Sequence, residues 1–222
     1  MKLIYVVIDG MGDLPIGELG DRTTLEAAQT PNMDMLAKSG RTGMMYTVGK
    51  GIAPESDVAV ISILGYDPFR HHAARGPIEA IGAGLEVRDG DLALRCNFAT
   101  IDQDGRIIDR RVGRSLTTEE AWVLAEAVNR EVELDRYPVD FEFRSTFGHR
   151  GALVIKSKNN PLSGEITNTD PAYERVAGLG VVKREVEMVL QKARPMEDTE
   201  EAKISAELVN EFVQKSQIVL ER

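Results

Sequence analysis

Leu3-Ile4-Tyr5-Val6-Val7-Ile8-Asp9-Gly10-Met11-Gly12-Asp13 is the stretch on which the fold turns. Its apolar run, rich in β-branched residues, has the pattern of a strand covered on both faces in a parallel sheet. The run stops at Asp9, and the following glycines let the backbone turn sharply. A signal-peptide core is a poorer account, because Asp9 interrupts it and no small-residue cleavage site follows. A carboxylate at the carboxyl end of such a strand lies where open α/β sheets bind ligands, and it suits a hard cation. An Asp before Gly also serves simply as a turn former. Two phosphate-handling motifs fail at this point. Pro15 stands where a dinucleotide fingerprint needs its third glycine, and Met11 stands where an aspartyl-phosphate pair needs its second aspartate.

Outward from this strand, Thr30-Pro31-Asn32 opens a helix over 32–39, with Thr30 as N-cap and Pro31 at the first helical position. A short strand is expected around 43–48, then the loop 49–55 and an apolar-periodic helix over 56–64, stopped by Gly65 and Pro68. Strand, loop, helix repeated in this order implies a parallel sheet with covering helices. The glycine-rich stretch 76–84 reads as a loop with a short helical turn, a candidate hinge.

The texture changes after residue 87. Segments 92–101 and 105–111 suggest a hairpin turning at Asp102-Gln103-Asp104-Gly105. Thr117-Thr118-Glu119-Glu120 offers a capping box for a helix over 117–132. Strands are expected at 141–143 and 151–156, a partly irregular stretch over 158–195, and an amphipathic helix over 200–222. The expected fold class is therefore α/β: a parallel-sheet core in residues 1–87 followed by a smaller α+β domain in 88–222.

With 27 Lys plus Arg against 36 Asp plus Glu, the 222-residue chain carries a formal charge of −9, which argues against a nucleic-acid partner. No apolar stretch is long enough to cross a bilayer, so no membrane partner is expected. The single cysteine, Cys96, excludes an intrachain disulfide framework. A soluble cytoplasmic protein is the expectation.

The second chemical candidate is Ala53-Pro54-Glu55-Ser56-Asp57. Ser56 stands where a Gly/Pro-containing loop enters a helix, so free N–H groups and the positive end of the helix dipole favour an anion there. An ordinary capping serine fits the same position.

Taken together, three groups of residues resemble the archaeal type of cofactor-independent phosphoglycerate mutase, within the alkaline phosphatase superfamily. They are Val6-Val7-Ile8-Asp9-Gly10-Met11-Gly12-Asp13, Thr30-Pro31-Asn32-Met33-Asp34-Met35-Leu36-Ala37, and Ser56-Asp57 with Leu64-Gly65-Tyr66-Asp67-Pro68. The likeness continues through Arg75-Gly76, Asn97-Phe98-Ala99-Thr100, Asp109-Arg110-Arg111-Val112-Gly113-Arg114 and Gly148-His149-Arg150. It implies a partial alkaline-phosphatase-like core followed by a substrate-binding cap. It also implies that Ser56 is the phosphorylated nucleophile and that Asp9 and Ser56 are ligands of two divalent metal ions (manganese, magnesium or cobalt). Arg75, Asp109, Arg110, Arg114 and Arg150 would contact a phosphoglycerate, with Asp109 either orienting Arg110 or binding the substrate hydroxyl. The chemistry is coherent: a cation beside a serine stabilises its alkoxide, and guanidinium forks capture phosphate and carboxylate.

The likeness covers about the first half of such enzymes, whose late Asp-x-x-Gly-His and Gly-Asp-His motifs have no match here. The expectation is an N-terminal half, inactive alone, that lacks a C-terminal half or forms a homo-oligomer. The intact enzyme would interconvert 3-phosphoglycerate and 2-phosphoglycerate through phosphoserine. Two alternatives stay open: a metal-dependent phosphatase or other phosphomutase of the superfamily, and a non-catalytic truncated module.

Overall fold

The computed structural model describes residues 2–8, 10–52, 56–71, 74–176, 179–183 and 186–222, with the side chains of 56, 174–176 and 179–182 left aside. Two compact units, Met1–Tyr46 and Thr47–Arg222, make up the chain.

In the first unit a 3-10 turn, Gly17–Leu19, precedes α1 (Thr24–Ala27) and α2 (Pro31–Ser39). Thr23 and Glu26 form a reciprocal capping box at α1. Pro31 begins α2 as its sequence requires, but the Thr30 hydroxyl donates to Asp34 (3.0 Å) instead of capping the backbone. The expected strand at 3–8 is absent: residues 3–8 are unpaired, with Leu3 84% and Ile4 85% exposed. A strand exists only through its ladder partners, and no described residue offers this segment one. The same holds for the expected strand around 43–48, and no two described strands pair in parallel.

In the second unit α3 (Ser56–Ile63) and α4 (Arg75–Gly82) precede β1 (Leu92–Asn97), β2 (Thr100–Ile101) and β3 (Ile107–Asp109). Then come α5 (Thr118–Glu131), β4 (Val139–Ser145), β5 (Arg150–Ser157), β6 (Tyr173–Val176), β7 (Leu179–Val182) and α6 (Glu200–Leu220). The principal sheet is antiparallel in the order β1-β5-β4. Its alternating side chains serve two layers. Leu92, Phe143, Leu153 and Ile155 meet Val128 of α5 and Leu208 and Phe212 of α6, while Ala93, Ala152 and Val154 meet Ala80 of α4. Phe143 packs edge-on to Phe98, with ring centroids 5.6 Å apart.

Two sequence expectations are corrected in this unit. The stretch 76–84 is mostly the helix α4: Gly76 is required not as a breaker but for close approach. A Cβ there would collide with the backbone carbonyl of Ala93. The hairpin turning at Asp102–Gly105 joins β2 to β3 alone, because β1 takes β5 as its partner. The polar stretch 158–195 is partly irregular, as its composition leads one to expect. It holds the β6–β7 hairpin, and its ends pair through Thr167 N–H to Arg194 C=O (2.8 Å) and Gln191 N–H to Thr169 C=O (2.9 Å).

Edge strand β4 is closed by a side chain. Asn129 of α5 donates to the Phe143 carbonyl (2.6 Å) and accepts from the Phe143 N–H (2.9 Å), satisfying both outward groups of that residue.

Candidate anion-binding site

On the α4 side of the sheet a set of cations converges. Arg75 opens α4 and pairs with Glu79 one turn on, 3.6 Å away. Glu79 also meets Arg95 of β1, at 3.5 Å. Arg95 replaces an apolar side chain in the middle of a sheet strand, and only 19% of its side chain is exposed. Burial first, and then the charges of Arg75 and Arg150, pull its pKa down, with Glu79 offsetting part of this. One carboxylate thus serves two guanidinium groups, and the balance is an excess of positive charge where solvent is partly excluded.

His149, just before β5, senses the same field. Burial lowers its pKa first, followed by the charges of Arg150, Arg111, Arg95 and Arg114. Charges from β1, from the start of β5 and from the loop after β3 therefore act together on this imidazole.

That loop has an unusual backbone. Val112, Gly113 and Arg114 are successively left-handed, with φ of 51°, 61° and 56°. A β-branched residue in this region stores about 1–3 kcal/mol of strain, which a fold retains where surrounding contacts enforce it. Here the Asp109 carboxylate enforces it by accepting the Arg111 N–H at 2.6 Å. Hydrogen bonds from the backbones of Arg111 and Gly113 hold the pKa of Asp109 below its ordinary value. A depression of about 540 Å3 opens beside the loop, lined by Asp109, Arg110, Arg111, Gly113 and Arg114 among others.

Arg110 is oriented from elsewhere. Its guanidinium forms a two-pronged ion pair with Asp170, the closest approach being 2.6 Å, and lies 4.8 Å from the centroid of the Tyr173 ring. Asp109 therefore organises the loop backbone, and Asp170 holds the arginine. Guanidinium forks have the donor geometry for bidentate bonds to a phosphate or a carboxylate.

The family profile of 2,3-bisphosphoglycerate-independent phosphoglycerate mutase matches residues 37–222. The chain belongs to this mutase family. It is 47% identical over its whole length to the 2,3-bisphosphoglycerate-independent phosphoglycerate mutase of Aeropyrum pernix, covering 51% of that protein. It is 46% identical to the enzyme so named from Methanosphaera stadtmanae, with 97% of this chain and 48% of the relative covered. Among solved structures, the cofactor-independent phosphoglycerate mutase from Thermoplasma acidophilum superposes with a TM-score of 0.53 at 36% identity, over 97% of this chain and 51% of the other. The PH0037 protein from Pyrococcus horikoshii gives a TM-score of 0.60 at 28% identity, over 96% of this chain and 43% of the other. The chain thus spans about half the length of the curated mutases it matches.

Set against this family, the sequence-predicted residues fall into three groups. Arg75, Arg114 and Arg150 contribute to the cluster, and Asp109 and Arg110 line the neighbouring depression. Asp9 lies outside the described residues. Ser56 opens α3, with its backbone alone described. Sequence reasoning missed Arg95, Arg111, Asp170 and Tyr173. A basic residue inside the run Leu92–Cys96 was a usable signal for Arg95; nothing local signals that Asp170 pairs with Arg110, 60 positions away.

The divalent metals implied by the family resemblance find no home among the described residues, where no three His, Cys, Asp or Glu side chains gather. Two of the carboxylates beside the arginines have other partners, Glu79 its arginines and Asp109 the loop backbone.

Proposed function

We propose that this chain is the N-terminal half of a phosphoglycerate mutase that interconverts 3-phosphoglycerate and 2-phosphoglycerate through phosphoserine at Ser56. Residues 1–87 belong to an alkaline-phosphatase-like catalytic core, and residues 88–222 form the cap that holds the glycerate. The observation that carries this function is the set of four arginines, Arg95, Arg111, Arg114 and Arg150, whose charges act on His149, with Arg75 joined to Arg95 through Glu79 and Arg110 lining the neighbouring depression. A phosphoglycerate presents two anionic groups separated by a short carbon chain, so it needs several cations on one surface and not a single fork.

The division of labour follows from the chemistry. The arginines bind the phosphate and carboxylate and hold the glycerate while its phosphoryl group is parted from it. Retention matters as much as capture, because water reaching the phosphoserine turns the same site into a phosphatase. The loop fixed by Asp109 supplies a preformed wall, so little ordering cost falls on binding.

The unpaired apolar segment 3–8 joins a sheet whose other strands come from the further half of the protein. Asp9 and Ser56 are ligands of divalent cations there, manganese, magnesium or cobalt, with the remaining ligands supplied by that half. The 222-residue chain alone is inactive, and the enzyme is cytoplasmic. Consistent with this, no helix among the described residues is long and apolar enough to cross a membrane.

The test is product analysis. Full-length protein supplied with manganese or magnesium and 3-phosphoglycerate is expected to yield 2-phosphoglycerate, with free phosphate a minor product. Free phosphate as the main product would make the protein a phosphatase of the same superfamily. Neither product would leave a non-catalytic module.

A further inference from the structure

We propose that Asp170, assisted by Tyr173, is a positioning residue that aims the Nη1 end of the Arg110 guanidinium into the depression beside the Asp109–Arg114 loop, to take one anionic group of the substrate. This rests on the mutase function proposed above and assigns a role to residues outside the loop itself.

The geometry is specific. Arg110 Nε donates to Asp170 Oδ1 (3.0 Å) and Oδ2 (2.9 Å), and Nη2 donates to Oδ2 (2.6 Å). All of these bonds use one edge of the planar fork, whose donors have fixed directions. Nη1 takes no part in the Asp170 bonds; the Tyr173 side chain is a further hydrogen-bond partner of the guanidinium, and Arg110 lines the depression together with Arg111 and Arg114. The Tyr173 ring, 4.8 Å from the guanidinium carbon, restricts rotation out of the plane.

Asp170 is itself held. Its Oδ1 accepts the Ala172 N–H (3.0 Å), and the adjoining Thr169 carbonyl accepts the Gln191 N–H (2.9 Å). The pair is mostly shielded, with 20% of the Arg110 side chain and 28% of the Asp170 side chain exposed. An unguided arginine loses much rotamer freedom when it captures an anion. An arginine clamped along one edge has already lost it, and substrate then pays only for its own ordering.

Asp170→Asn separates this role from folding. The asparagine keeps an oxygen for the Ala172 N–H but turns one acceptor for Arg110 into an amide donor. In the full-length protein, Arg110→Ala is expected to raise KM for 3-phosphoglycerate about 100-fold, the loss of a charge-assisted contact. Asp170→Asn is expected to raise it about tenfold with kcat within about twofold, because the arginine remains but is no longer aimed. In the Arg110→Ala background, Asp170→Asn is expected to change nothing further.

Four results would overturn the proposal. Asp170→Asn could leave KM unchanged. It could lower KM, which would make Asp170 a competitor for the fork. It could cost the same factor with and without Arg110, which would make it a scaffold residue. Lastly, Arg110→Ala could leave KM unchanged. If the wild-type protein shows no mutase turnover, the functional proposal falls instead; 3-phosphoglycerate binding by calorimetry across the same four proteins then decides the role of Asp170 by the same pattern.

Discussion

His149 is a natural probe of the site, because its proton competes with the field of four arginines. Burial and the charges of Arg150, Arg111, Arg95 and Arg114 hold its pKa below the ordinary value of 6.5. The unfolded chain therefore binds a proton at this residue more readily than the folded one. The corresponding stability is fully present above about pH 6.5 and is lost as pH falls toward the folded value. A bound phosphoglycerate neutralises the arginines, so its binding is expected to raise the His149 pKa and take up protons. An NMR titration of the imidazole, assigned with His149→Ala, checks this. An unchanged midpoint at saturating 3-phosphoglycerate would mean that the anion binds elsewhere. At this scale Arg75, Arg110, Arg114 and Arg150 were legible only through the family resemblance, since a charged hairpin is by itself an ordinary solvated surface, and Arg95 and Arg111 were not singled out. The orientation of these side chains was not legible. Asp109 looked suited to hold its neighbour Arg110, yet it holds the loop backbone while Asp170 takes the arginine. Adjacency in sequence does not fix which carboxylate a long side chain reaches.

Among the elements, those with their own start signals were the most legible. Thr117 and Glu120 form the expected capping box of α5, and Thr199 caps α6. Strand partners were less so, since pairing depends on residues far along the chain. β5 shows why a continuous apolar run does not imply a parallel sheet. Gly151 through Ile155 are all buried because α4 covers one face and α5 and α6 the other, yet both neighbours of β5 are antiparallel. Two-sided coverage, not strand direction, produces that pattern. The edge of the sheet rests on Asn129. Asn129→Leu removes both partners of the Phe143 backbone groups, and an unsatisfied buried polar group costs about 1–3 kcal/mol. A loss of about 2 kcal/mol or more in urea unfolding is expected. Unchanged stability would show that solvent or another side chain replaces the amide.

At the scale of the chain, the principal sheet with its helices holds an apolar cluster on each face, while the segment 3–8 stays unpaired. The family was readable because its motifs occur in order over the chain, from Asp9-Gly10 to Gly148-His149-Arg150. The parallel sheet was expected from a strand whose partners are not among the described residues, so no local pattern could reveal its state here. The most direct measurement is mass spectrometry of full-length protein mixed with 3-phosphoglycerate and manganese and quenched in acid. The expected result is one added phosphoryl group on the peptide containing Ser56, absent in Ser56→Ala, which should also lose at least about a thousandfold in turnover. An active protein that carries no phosphoryl group on Ser56, and whose Ser56→Ala variant turns over at the wild-type rate, would contradict it.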